Sequence, residues 1–502
     1  MAEGTSYRFE PLERRGLFLG LGAGQLAVII LAVLAALASV KAWPGIGGVA
    51  AAVGALGLAG VLCRPVSGRP PLQWLNVAGL FLVRPRRLRF APPATSLTPA
   101  RKGVRRADER VRVADERVRV ADERVRVADE RPSRALRLPA KIFAPGLYLC
   151  ELPASPGPIG ALLDDRAGTA AALLRVRGGS FCLLDEVDKE RKLGAWAAVL
   201  ESVSSHRSSL VRLQWCQRAL PGDSLSQLGH LQRAGDANSP GFAGHVALLE
   251  RVGAKSWRHE TLLLVAVRCR VRARRRQGGR LSDEDAEAVR NEVRALRAQM
   301  RNVGLVCEGV LDQEGAAVAL GAFLVPSLDR YPGAHPWPLA LEEHWADVRA
   351  DGSWHRTYWV AEWPRSSVGP DFLSPLLIGT GRRSFSVVMA PVPPERAERD
   401  AQSSRTAQVA DAQLRAQGGF LETARQRRQA EALEGREERL VDGRGVFKLS
   451  GYFTVSGSDE AGLEAACSDL ERAAGAAKVS LRLLYGQQKE ALTWALPFGR
   501  GL

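Results

Sequence analysis

GLFLGLGAGQLAVIILAVLAALASV (residues 16–40) and AWPGIGGVAAAVGALGLAGVLC (residues 42–63) are two charge-free runs with Lys41 alone between them. A helix rising 1.5 Å per residue needs roughly 20 residues to cross the ~30 Å hydrocarbon core of a bilayer, so each run is long enough. One continuous helix would far overshoot that thickness. Lys41, Trp43 and Pro44 mark a tight turn instead. The pair predicts a transmembrane helical hairpin with spans at about 17–40 and 43–63. A cleaved signal peptide fits less well, because the first run is longer than a usual h-region and no strong small-residue cleavage site follows it.

The flanks set the expected orientation. Arg8, Arg14 and Arg15 precede the first run, and Arg64, Arg69, Arg84, Arg86, Arg87 and Arg89 follow the second, against Lys41 in the turn. Basic residues stay on the cytoplasmic side, so both termini are expected there, in the cytoplasmic membrane. Neither run holds an ionisable side chain, which argues against an ion path through the hairpin. Gly16, Gly20 and Gly24 fall four apart, as do Gly48 with Ala52 and Ala50 with Gly54. That spacing lets helices approach closely in lipid, either the two spans against each other or the hairpin against other membrane subunits.

The charge of the 502-residue chain follows the same division. Residues 1–140 carry 23 basic and 11 acidic side chains, whereas residues 141–502 carry 47 and 43. The formal net charge of +16 therefore belongs mostly to the membrane-proximal quarter. There it serves topology and attraction to anionic lipid headgroups, while a nucleic-acid-binding domain carries its excess on the folded body.

Residues 91–140 read as a linker. Ala107–Val113 is ADERVRV, repeated at Ala114–Val120 and Ala121–Val127 with a partial fourth copy ending at Arg131. The period of seven puts Val and Ala on one narrow stripe, and Asp108 with Arg112 makes an i,i+4 pair. Ala at every second seam position makes a weak coiled coil, so a tandem expansion tolerated by a linker accounts for it better.

From residue 141 the pattern is α+β. Leu147–Leu152, Ala170–Val176, Leu210–Leu213 and Leu262–Val267 read as strands. Asp185–Ser202 places Val187, Leu193, Trp196 and Leu200 at helical spacing. Leu281–Val303 is a stronger helix, with Ser282 as cap and Ala286, Val289, Val293, Leu296 and Met300 as its apolar stripe. These belong to a body over 141–392. Residues 393–440 form a polar helical arm, and 441–502 a closing β–α–β–α unit in which Phe447, Leu449, Phe453 and Val455 share one strand face.

Catalytic and metal signatures do not emerge. The seven cysteines show no C-x-x-C and the histidines no H-E-x-x-H. Glu342, Glu343, His344 and His355 come nearest to a ligand cluster, but their spacing favours structural roles. Gly253-Ala254-Lys255-Ser256 lacks the glycine before the lysine that a P-loop needs. No cofactor is expected. Arg268, Arg270, Arg272 and Arg274 alternate, which puts them on one strand face suited to nucleic acid, anionic lipid or an acidic partner, or simply solvated.

YRFEPLERRGLFLGLGAGQ, the two runs, and RPVSGRPPLQWLNVAGLFLVRPRR together resemble the PrgI-family membrane hairpin of Gram-positive conjugation machinery. FCLLDEVDKERKLGAWAAVLESV with VRLQWCQRALPG, and then REERLVDGRGVFKLSGYFTVSG with LRLLYGQQKEALTWALPFGRGL, are similar to the N-terminal, non-ATPase domain of TrbE/CagE-type secretion ATPases. The resemblance implies an integral membrane subunit of a type IV secretion or conjugation-like apparatus, oligomeric within it. The chain reaches Leu502 without a P-loop domain, so the resemblance implies that it docks a separate motor ATPase and is not itself an enzyme. Two alternatives stand beside it: an EccE-like core membrane subunit of a type VII system, and a membrane-tethered enzyme acting on lipid or cell-wall precursors.

Overall fold

Strands buried on both faces need no polar alternation and read as continuous apolar runs. LLLVAV (Leu262–Val267) is such a run, buried throughout at the centre of the molecule. The computed structural model describes residues 23–64, 71–89, 136–137, 145–155, 157–178, 181–204, 208–222, 239–253, 257–269, 281–325, 340–379, 381–417 and 424–502, with isolated positions between them. The heptad repeat, Gly16, Gly20, Arg270, Arg272 and Arg274 lie outside the described residues.

Two apolar helices open the chain, α1 (Ala23–Ala42) and α2 (Ile46–Cys63), followed by α3 (Pro71–Val83). An α+β body follows, whose described strands form one large antiparallel sheet. Its first half contains β3 (Leu147–Leu152), β4 (Ile159–Asp164), β5 (Thr169–Arg177), α4 (Glu186–Val203), β6 (Leu210–Pro221), α5 (Phe242–Gly253), β7 (Trp257–Arg268), α6 (Asp283–Asn302), β8 (Val306–Val310) and α7 (Gln313–Leu324). The second half runs β9 (Ala340–Glu343), β10 (Val348–Ala350), β11 (Ser353–Glu362), α8 (Ser374–Leu377) and β12 (Arg382–Val392). It continues through the polar arm α9 (Pro394–Gln417) and α10 (Ala424–Val441) to β13 (Val446–Gly457), α11 (Glu460–Ala476), β14 (Ser480–Leu483) and α12 (Gln488–Ala495).

These two lists are one architecture used twice. From the middle outward the first half is ordered β6-β7-β5-β4-β3 and the second β12-β13-β11-β10-β9. β5 gives one edge to β7 and splits the other between β4 and β8, and β11 does the same with β13, β10 and β14. The halves join where β6 meets β12, antiparallel from Ser384↔Arg218 to Met389↔Leu213. Short strands cap both outer edges: β2 (Leu136–Arg137) on β3, and β1 (Arg87–Arg89) on β9. Brief edge strands leave little unpaired backbone to template another chain.

Helices cover both faces. Val199 and Val203 of α4 and Val289, Val293, Leu296 and Met300 of α6 pack on Leu174, Leu263, Val265 and Leu213. α11 covers the same face of the second half through Leu463, Cys467 and Leu470 against Phe385, Phe453 and Val455. On the opposite face α7 and α12 lie over Leu173, Cys216, Leu262, Leu264 and Tyr452. Each fully buried Leu contributes roughly 1.5–3 kcal/mol.

The α6 stripe reads as the spacing predicted, with the Ser282 hydroxyl capping by accepting from the Asp285 N–H. Two expectations are corrected. Val187 is exposed, because it stands nine residues before Trp196 and so half a turn round α4 from the face that carries Trp196, Val199 and Val203. Leu449 is exposed too, between Phe447, which packs on the core of the first half, and the continuously buried stretch from Gly451 to Val455.

The tail beyond α12 clasps the seam. Gln214, fully buried on β6, donates to the Ser386 hydroxyl of β12 and to the Leu496 carbonyl (2.7 and 2.9 Å), and accepts from the Gly499 N–H (2.7 Å). Tyr452 donates to the Gly501 carbonyl, and Arg500 reaches across to the buried Asp164 of β4 at 2.7 Å. A Cβ at Gly501 would meet Trp494 and Tyr452 below contact distance, at a positive φ, so glycine is required there. Gln214→Met preserves volume but strands the Gly499 N–H and the carbonyl acceptors. It should cost about 1–3 kcal/mol in denaturant unfolding, with the C-terminal tail the first segment to lose hydrogen-exchange protection.

Candidate membrane anchor and its junction with the body

α1 and α2 are long and apolar enough to cross a membrane, with mean hydropathies of 2.2 and 2.1 over Gly24–Ala42 and Ile46–Cys63. Little of either is buried in the protein (11% and 17% of those windows), unlike the core helix of a soluble domain. They pack on each other through small side chains. Gly48 and Ala59 of α2 and Ala36 of α1 are buried in the contact, and Ala52 is half-buried on the same face. A Cβ at Gly48 would collide with the Ser39 and Trp43 carbonyl oxygens. The Ser39 hydroxyl donates to the Ala36 carbonyl (2.8 Å), and Gln25 donates to the Cys63 carbonyl at the open end of the hairpin (3.0 Å). Gly24, Ala50 and Gly54 point away from this contact.

Sequence reasoning did not separate α3 as an element of its own. Its signals were Pro70-Pro71, suited to a helix start, and the apolar stretch behind them. Trp74, Val77 and Phe81 form one face, packed on Trp345 and Tyr485 of the second half. Phe81 meets Trp345 edge-on at 5.1 Å, and Trp74 lies 6.1 Å from both Trp345 and Tyr485. Such pairs add about 0.5–1.5 kcal/mol each beyond their buried area.

Behind α3 the chain is tied to the sheet by backbone and charge. β1 pairs Arg87–Arg89 with Ala340–Glu342, and the Glu343 N–H donates to the Arg86 carbonyl at 2.8 Å. Arg84 pairs with Glu490 of α12, and Arg87 with Glu342 at 2.7 Å. At the centre Lys489 and Glu343 form a buried ion pair at 3.4 Å. The Lys489 N–H donates to the same carboxylate at 2.9 Å, and its ammonium reaches the Pro85 carbonyl at 3.4 Å. Burial pushes the Glu343 carboxyl above its usual range, against the pull of Lys489.

The four residues that came nearest to a metal cluster are thereby dispersed. Glu342 and Glu343 hold the junction, His344 faces Asp347 at 2.7 Å, and His355 lies buried with Nδ1 2.8 Å from the Ser456 hydroxyl. Among the described residues no three His, Cys, Asp or Glu side chains gather as metal ligands. None of the seven cysteines is in a disulfide, and burial pushes the Cys216 thiol up to about 12. A small recess over β6 and β12, lined by Gln217, Ala219, Leu376, Leu377, Arg383, Phe385 and Phe453, carries no carboxylate or nucleophile. Of the alternating arginines, Arg268 is the exposed last residue of β7 and the other three fall outside the described residues. No family model and no curated protein matches this chain.

Two predictions follow from these buried charges. Lys489→Met leaves Glu343 without its cation and should cost about 3–5 kcal/mol; the double variant with Glu343→Gln should recover most of it in the same unfolding titration. Burial lowers the His355 pKa from 6.5 to about 4. Below pH 6.5 the unfolded chain takes up a proton that the folded body refuses, so stability falls progressively from there to pH 4. The full loss is about 3 kcal/mol, and His355→Gln should flatten that part of the stability–pH curve.

Proposed function

We propose that this chain is a non-enzymatic, two-pass subunit of a type IV secretion or conjugation-like apparatus in the cytoplasmic membrane, with both termini in the cytoplasm. In this reading α1 and α2 anchor it, and the body docks a separate motor ATPase. The observation that carries the reading is the junction: two basic-flanked apolar helices pass through α3 and β1 into the edge of a large sheet, held there by the buried Lys489–Glu343 pair. A merely tethered domain needs only a flexible linker, whereas a subunit that positions a motor at a membrane needs a stiff one.

The segments that resemble secretion ATPases supply the docking side. Phe181–Val203 forms a short turn and α4, with Leu183 and Val187 exposed at their outer surface. Lys189 pairs with Asp371 (3.3 Å) and Cys182 lies 3.1 Å from Ser374, which places this surface along the segment that ends in exposed Ile378. Leu183, Val187 and Ile378 are the apolar residues this reading assigns to the motor.

The test is co-purification from solubilised membranes with the ATPase encoded nearby. Val187→Asp with Ile378→Asp should reduce recovery of the motor at least tenfold while the chain stays in the membrane fraction, since two buried apolar contacts amount to about 1.5–3 kcal/mol each. Failure to recover any motor subunit with the unaltered chain overturns the proposal, and recovery with a type VII core complex replaces it by that architecture.

A further inference from the structure

α3 is apolar apart from Gln73 and Asn76, yet only one of its faces is covered. Trp74, Val77 and Phe81 meet Trp345 and Tyr485, while on the opposite side Leu75, Leu80, Leu82 and Val83 are 67%, 43%, 69% and 86% exposed. An exposed helix face this rich in leucine and valine calls for apolar surroundings, and its two amides, Gln73 and Asn76, for a polar boundary within reach. With 13 residues it reaches about 20 Å, too short to span a bilayer.

What covers the open face follows from its neighbours. α3 touches α2 and begins eight residues after Cys63, so even a fully extended connection keeps its start within about 28 Å of the end of α2. The flanking sequence is basic: from Arg14 to Ala107 it holds no Asp or Glu, and although Arg84 and Arg87 pair with Glu490 and Glu342, Arg64, Arg86 and Arg89 are exposed around α3. Arg86 lies over the Phe81 ring at 4.5 Å, just beyond the helix, where a headgroup phosphate would meet it. An apolar face bordered by cations is the composition of a helix lying in the interface of an anionic membrane.

We propose that α3 lies in the headgroup–acyl boundary of the membrane, with Leu75, Leu82 and Val83 in the lipid and Trp74, Val77 and Phe81 against the body. This rests on the reading of α1–α2 as the anchor and extends it. The second half of the sheet is seated directly on the lipid surface, and the docking side of the body takes a set height and tilt from the bilayer.

The experiment uses the full chain in vesicles of phosphatidylcholine with phosphatidylglycerol. Leu75→Cys and Leu82→Cys are labelled with an environment-sensitive fluorophore, with Val441→Cys, exposed on the polar arm, as reference. The more accessible native thiols carry Cys63→Ser, Cys182→Ser, Cys269→Ser and Cys307→Ser. The expected result is blue-shifted emission at 75 and 82, lost on adding doxyl-labelled lipid, and water-like emission at 441. Water-like emission at 75 and 82 from carbonate-resistant protein overturns the inference and leaves the anchor standing. Release by carbonate overturns both. A blue shift insensitive to doxyl lipid overturns it in favour of a protein covering the face. In the native cysteine background, benzoylphenylalanine in place of Leu75 or Leu82 should yield phospholipid adducts on irradiation, and exclusively protein–protein adducts would again overturn the inference.

Discussion

The pairing of β6 with β12 is the contact on which the rest of the body depends. Each half is a complete strand–helix unit, but each ends at the middle in a long strand with one edge to satisfy. The Ser384–Met389 register satisfies both edges at once and merges two sheets into one. Because β6 and β12 run antiparallel, the halves are related by an approximate twofold normal to the sheet, which puts α6 and α11 on one face and α7 and α12 on the other. Gln214 at the seam then takes a polar role in an apolar layer, binding β12 and the C-terminal tail together. A buried amide with all its partners supplied restricts the neighbouring chain to one arrangement.

The two halves differ where their surroundings differ. The first meets the tail through Asp164 and Arg500; the second meets the chain behind α3 through Glu343 and Lys489. Lys489–Glu343 is buried on both sides and Arg500–Asp164 on the carboxylate side; such pairs contribute little net stability against an apolar substitute but are costly to break singly. They make position specific: β1 docks at Glu343 and nowhere else along the edge. The repeated strand order gives a symmetric frame, and these pairs distinguish its ends.

Much of this was legible in residue order, for identifiable reasons. The charge-free runs announce α1 and α2, since length and the absence of charge suffice. Ser282 and the stripe from Ala286 to Met300 announce α6, since a half-buried helix must show its period. Val187 misled because an apolar residue at nearly helical spacing can still fall half a turn from the stripe. Leu449 misled because alternation does not say which stretches of a strand are covered. Glu342, Glu343, His344 and His355 looked like neighbours of one kind, and folding sends each to a different partner.

The sequence by itself determined what depends on local composition and period: two apolar helices long enough to cross a membrane, a basic first quarter and an α+β body behind it. The tertiary structure alone decided what depends on contacts between distant residues. The twofold frame is invisible in the letters, because burial constrains only apolar character and size, and its two halves meet that constraint with different side chains. The half-covered state of α3 depends on Trp345 and Tyr485, more than 250 residues downstream, which bury one face and leave the other open. No window of sequence holds both sides of that contact.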